Sequence, residues 1–152
     1  MNKLSLNFII ENTIDNITKG YISESTIDGF GLFAKNDINI GDILCILDGQ
    51  VVAFDKYYKI KDNISPMIDK PYCKYIFEEW NVLDEDTLLV RSLRTKYSYI
   101  NHSKFPNTKI IYHPIRVIAT KYISKGEEIL IDYRKEPLNK KYINSIGEYL
   151  YE

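Results

Sequence analysis

Several residue types and patterns are scarce in this chain. Its 152 residues include two cysteines, two histidines and one tryptophan. Cys45 lies inside the apolar run 43–47, which suits a buried thiol, and Cys73 stands in a Pro- and Tyr-containing stretch. With no CxxC pair and only His102 and His113 to assist, no metal site is expected. Charge of one sign is also lacking: 20 Lys and Arg face 21 Asp and Glu, a net charge of −1. That excludes a generally basic surface for duplex nucleic acid and gives no reason for polybasic membrane attachment. No segment nears the ~20 consecutive apolar residues of a membrane-spanning helix. The first ten residues carry one Lys and too short an apolar run for a signal peptide. A soluble intracellular protein is expected, in which a disulfide would be out of place.

What is present is enough for a folded domain. Hydrophobic residues make up 45% of the chain and charged residues 27%, a composition able to bury a core. There is no internal repeat. Residues 1–20 have no clear period and are read as an N-terminal extension. From Tyr21 onward, short β-rich runs alternate with turn residues: Tyr21-Ile22-Ser23, then Leu32-Phe33-Ala34 after Gly29-Phe30-Gly31, then 43–47. Asp48-Gly49 between 43–47 and Val51-Val52-Ala53-Phe54 predicts a hairpin, because glycine accepts the positive φ of such turns. The middle, 55–86, shows no sustained period apart from a candidate strand at Tyr75-Ile76-Phe77. Strands are predicted again at 87–90, 109–112, 115–119 and 129–131, with a turn at Pro114. Beyond 140, Tyr142, Ile143, Ile146, Tyr149 and Leu150 approximate helical spacing and predict a short C-terminal helix. Many short strands with little helix between them argue for a mostly-β fold of several small sheets.

Three motifs stand out. Asp28-Gly29-Phe30-Gly31 lacks the full GxGxxG spacing and leads into a β-like run, so it is no dinucleotide-binding fingerprint. A plain β-turn explains it, and so does a loop whose backbone approaches a ligand closely. Asn101-His102-Ser103-Lys104-Phe105-Pro106-Asn107 packs many hydrogen-bonding groups into one bend. A lone His in such a loop is more often structural, and no Ser or Cys partner completes a triad. Lys125-Gly126-Glu127-Glu128 is a turn into a strand that ends at Asp132-Tyr133.

In this order, the three motifs closely resemble the SET domain of S-adenosylmethionine-dependent protein-lysine methyltransferases. The likeness covers residues 21–137, leaving 138–152 as a tail. It implies a β-clip-like fold of small sheets with a pseudoknot-like C-terminal threading, which most folds avoid. That threading would bring Asn101 to Asn107 against Ile129 to Tyr133. It further implies S-adenosylmethionine as cofactor, held by Asp28, Gly29 and Phe30 through backbone and by Asn101 and His102. Tyr133, and Tyr75 by a looser match, would be the catalytic tyrosines, although the Tyr75 position equally suits a core aromatic.

The chain departs from many histone-directed members. Lys104 stands where they carry Cys, no Cys follows Cys73, and Ser98 replaces an Arg. The zinc modules that finish their lysine channel are therefore missing, as they are from small single-domain viral and bacterial members. Here the tail is expected to complete the channel, with Tyr142 as first choice. The implied partner is a lysine-bearing protein or peptide, such as a histone tail, with neither nucleic acid nor membrane. A short domain without a channel-closing module also leaves room for a homodimer. The competing reading is a SET-like module that binds a protein partner without catalysis, against which the joint presence of Tyr133 and Asn101-His102 argues.

Overall fold

The structure, a computed structural model, describes residues 4–136. In chain order its elements are helix α1 (Leu6–Glu11), strands β1 (Gly20–Glu24), β2 (Phe30–Ala34), β3 (Ile43–Ile46) and β4 (Gln50–Ala53), and helix α2 (Phe54–Ile64). Strands β5 (Ile76–Asp84), β6 (Thr87–Leu93), β7 (Asn101–His102), β8 (Thr108–Ile111), β9 (Arg116–Ala119) and β10 (Glu128–Ile131) follow, with short 3-10 turns between some of them. Taken over the described residues, one compact unit belongs to the spans Met1–Leu47 and Leu93–Asp132, the other to Asp48–Ser92 and Tyr133–Glu152. The mostly-β architecture matches the expectation, whereas the predicted C-terminal helix lies outside the described residues.

The first unit is a seven-stranded sheet in the order β1-β2-β10-β8-β9-β3, with β7 also paired to β10. Its centre is therefore its last strand. β10 runs antiparallel to β2, setting Glu128 opposite Phe33 and Ile129 opposite Leu32. It runs parallel to β7 and β8, with Leu130 opposite Asn101 and Ile131 opposite both His102 and Thr108. The alternation along 129–131 explains the position: Ile129 and Ile131 are buried, alongside Leu32, Ile100 and Val117. Burying each such side chain contributes about 1.5–3 kcal/mol. Asn107 fastens the same strand with its side chain. Its Nδ2 donates to Glu128 O (2.8 Å), its Oδ1 accepts from Leu130 N (2.8 Å), and Thr108 Oγ1 donates to Leu130 O (2.8 Å). The Pro106-Asn107 end of the second motif is thus a strand-like rung for β10; of the expected meeting of 101–107 with 129–133, the contacts along β10 are found, while Tyr133 belongs to the other unit.

The turn that launches β10 is pinned twice. Gly126 takes φ +86° and donates to Ala34 O (2.8 Å), while Lys125 N donates to Asp37 Oδ1 (2.8 Å). A hydrogen bond from the Tyr122 hydroxyl, and next this backbone bond, hold the Asp37 carboxyl below the usual carboxylate range.

The second unit is a three-stranded sheet, β4-β6-β5, with α2 joined directly to the end of β4. Phe54, Tyr57, Val82, Leu88 and Val90 form its core, with Val52, Tyr58, Phe77 and Trp80 packed against them. No sustained element is predicted in 55–86 beyond Tyr75-Ile76-Phe77; the structure has an eleven-residue helix from Phe54 and a nine-residue strand from Ile76. The aromatic stripe Phe54, Tyr57 and Tyr58 has i, i+3, i+4 spacing, but it is short and Ala53 supplies no side-chain cap.

The predicted hairpin at Asp48-Gly49 is corrected. β3 pairs with β9, and β4 pairs with β6, never with β3. Glycine is needed at 49 for another reason. Its φ is +141°, and a Cβ there would stand 2.6 Å from the Val90 carbonyl oxygen. Gly49→Ala should therefore lose about 1–3 kcal/mol in backbone conformation alone, with the backbone clash added. A melting temperature lowered by at least ~2 °C is expected for a chain of this size, and an unchanged one would contradict this account.

Candidate active site

The β1–β2 connection is a loop that the chain's own chemistry shapes. Ser25 N donates to Gly29 O (2.9 Å), Ile27 N donates to Ser25 Oγ (3.0 Å), and Gly29 adopts φ +42°. No atom lies within 4 Å of where a Gly29 Cβ would stand, so glycine serves the dihedral angle here. Gly31 is different. It is buried, and a Cβ on it would sit 2.9 Å from Glu128 Cδ and 3.1 Å from Ser25 Cβ. The missing side chain makes room for a carboxylate.

Around that carboxylate the first two motifs meet the third. Ser25 Oγ lies 2.8 and 3.0 Å from the two Glu128 oxygens. Asn101 Nδ2 lies 2.9 Å from Glu128 Oε2 and 3.2 Å from each of Ser25 Oγ, Asp28 O and Phe30 O. Two amide hydrogens are shared among four acceptors, so the Asn101 side-chain nitrogen is committed to the protein. It ties the Asp28 and Phe30 carbonyls to β7 and so presets the curve of the loop. His102, next on β7, places Nδ1 3.8 Å from Oδ1 of the buried Asp132, and Ser103 N donates to Ile131 O (2.9 Å). Asp28, Gly29, Phe30 and Asn101, which the sequence singled out, are thus gathered in one place with His102 beside them. Ser25, Gly31 and Glu128 were not singled out as site residues. The Gly-Glu-Glu motif was the signal for Glu128, but a local reading sees only a turn.

The second unit holds the two tyrosines. Tyr75 closes the 3-10 turn Cys73–Tyr75, donating its N–H to Tyr72 O (3.0 Å), and is half-buried. Two residues on, Phe77 takes φ +45°, a conformation that costs a bulky residue about 1–3 kcal/mol. Its carbonyl accepts from the Tyr57 hydroxyl (3.0 Å), which burial pushes far above the ordinary phenol range and so keeps protonated as a donor. Tyr133 opens the 3-10 turn Tyr133–Lys135 and is also half-buried, and Glu136 N donates to its carbonyl (3.4 Å). Tyr142, the expected channel residue of the tail, lies outside the described residues.

Comparison with known proteins joins these parts. Residues 29–134 match the SET domain family. The histone-lysine N-methyltransferase CLF of Arabidopsis thaliana is 29% identical over 119 residues, covering 74% of this chain and 12% of the relative. Its namesake in Oryza sativa subsp. japonica is 29% identical over 122 residues, 76% of this chain and 13% of the relative. The histone-lysine N-methyltransferase EZ1 of Zea mays is 27% identical over 122 residues, 76% and 12% respectively. The chain thus spans about an eighth of the length of these relatives. The matched span begins at the glycine loop, contains the Asn101 junction with β10 and runs just past Tyr133, so this chain belongs to the SET domain family.

Proposed function

We propose that the chain is an S-adenosylmethionine-dependent protein-lysine N-methyltransferase. The observation that carries this reading is the Asn101 junction in the first unit, where the loop at 28–31 and the motif at 101–107 meet β10. The residues fit the cofactor's polar end. Asp28 and Gly29 are exposed in a loop whose carbonyls are held by Asn101 and Ser25, which leaves backbone N–H groups to face a ligand, with His102 adjacent. When bound there, S-adenosylmethionine supplies an activated methyl group on a sulfonium sulfur.

The remaining tasks fall to the protein. A lysine amine has a reference pKa near ~10.4 and must shed its proton before it can attack. An apolar, aromatic-walled channel disfavours the ammonium form and so lowers that pKa. Tyr133, with Tyr75, would orient the amine's lone pair through its hydroxyl. Such catalysis is mostly positioning and management of charge. Asn101 takes part as a positioning residue for the loop, and Asp28, Gly29, Phe30 and His102 as the contacts to the cofactor.

A protein substrate, with histones first, is supported by the names of the relatives, which are histone-lysine N-methyltransferases. No helix among the described residues is long and apolar enough to cross a membrane. The domain boundaries proposed are an extension at 1–20, a SET domain at 21–137 and a tail at 138–152. The test is incubation with labelled S-adenosylmethionine and core histones or lysate, followed by mass spectrometry of modified lysines. Absence of binding to S-adenosylmethionine at millimolar concentration in a titration calorimeter would overturn the reading.

The tail carries a separate expectation. Residues 134–152 contain no Cys, and those beyond Pro137 are proposed to complete the lysine channel, Tyr142 among them. Truncation after Leu138 should leave cofactor affinity intact and abolish methyl transfer. Transfer at the parent's rate would reduce the tail to a stabilising segment.

A further inference from the structure

The second unit buries a chain of polar groups that its sheet does not require. Arg91 on β6 and Glu79 on β5 are each 4% exposed, and Asn81 on β5 is fully buried. Arg91 Nε donates to Glu79 Oε2, Nη1 donates to Asp48 O (2.9 Å), and Nη2 donates to Asn81 Oδ1 (2.5 Å). Because the Asn81 oxygen faces a cation, its Nδ2 must point the other way, and it donates to Glu136 Oε1 (2.7 Å). The second Glu136 oxygen accepts the Val82 N–H (3.2 Å). Among the described residues β5 pairs with β6 alone, and at Val82 the Glu136 carboxylate accepts the strand's N–H.

Two facts bear on what this is for. A buried ionic network is a poor source of stability, since apolar residues of like volume often do as well; its better attested use is to specify one geometry. And Glu136 sits one 3-10 turn after Tyr133, to which its N–H reports directly. Both oxygens of Glu136 are thus engaged by β5, and Arg91 sets the orientation of the Asn81 amide that donates to one of them.

We propose that Glu136, held by Asn81 and Val82 and oriented through Arg91 and Glu79, is the positioning residue that fixes the Tyr133 turn for methyl transfer. This rests on the proposed function for the role of Tyr133, but the anchor itself is a property of the fold. It acts through Tyr133 and does not touch substrate.

The experiment compares the full chain with Glu136→Ala and Glu136→Gln, using S-adenosylmethionine and core histones under single-turnover conditions. Amide hydrogen exchange is read at Val82 and at 133–136 in the same proteins. Glu136→Ala should lower the transfer rate at least tenfold, leave S-adenosylmethionine affinity within twofold of the parent, and speed exchange at Val82. Glu136→Gln keeps the shape and one acceptor, so it should recover part of both. Parent-like rate and parent-like exchange in Glu136→Ala would overturn the anchor. Should that variant not fold, the same two parent-like results in Glu136→Gln overturn it. If the parent itself transfers no methyl group, the proposed function fails, and exchange at Val82 still decides the anchor.

Discussion

Replacing Tyr133 with phenylalanine is expected to slow methyl transfer by ~10²-fold or more, the effect of losing one preorganised polar group at the reacting centre. The substitution removes a single hydroxyl and keeps the ring. Tyr133 is half-buried at the start of a 3-10 turn that Glu136 ties to Asn81. Near-isosteric changes at such positions cost little stability. The melting temperature should therefore stay close to the parent's, and so should affinity for S-adenosylmethionine, whose proposed contacts belong to the first unit. A loss confined to the single-turnover rate places the hydroxyl in the chemical step. A Tyr133→Phe protein that transfers methyl groups as fast as the parent would make this tyrosine a packed aromatic and nothing more.

Asn101→Ala should act on binding instead. The amide nitrogen it removes reaches Glu128, Ser25 and the carbonyls of Asp28 and Phe30. Leaving a buried partner unsatisfied costs about 1–3 kcal/mol, although Asp28 is exposed and its carbonyl can turn to water. The loop 25–30 then loses its tie to β7 and must be reordered whenever the cofactor binds. Affinity for S-adenosylmethionine should fall at least tenfold, which is about 1.4 kcal/mol, with a modest drop in melting temperature. Asn101→Asp is the sharper version, since it keeps the shape but presents an acceptor to four acceptors. It should bind more weakly than the alanine variant. Calorimetric dissociation constants equal to the parent's in both variants would remove Asn101 from the site.

The geometry adds a role for glycine and glutamate that the motifs alone do not suggest. Gly31 and Glu128 are far apart in the chain, yet the first is small because the second lies against it. Ser25 and Asn101 share that carboxylate, so the curve of the glycine loop depends on all three motifs together.

The sequence by itself determined the alternation that makes the strands, the turns at Gly29 and Gly126, and the order of three motifs. Those features are local: a period of two, a positive φ, a run of named residues. The resemblance of that order to the SET domain is what brought Asp28, Gly29, Phe30, Asn101 and His102 into one expectation. Tertiary structure alone decided the partners. Asp48-Gly49 is a good local hairpin cue, but β3 and β4 pair with β9 and β6, where Leu44, Cys45, Leu88 and Val90 find their buried neighbours. α2 became a helix although Ala53 offers no side-chain cap, because Phe54 and Tyr57 have the core of the second unit to pack against. The roles of Asn107 and Glu128 followed only once β10 lay in the middle of its sheet, and that of Glu136 once it met Asn81 and Val82 on β5. A side chain's hydrogen-bond partners are set by which apolar faces bury one another, and that is a property of the packed chain, not of any short stretch of it.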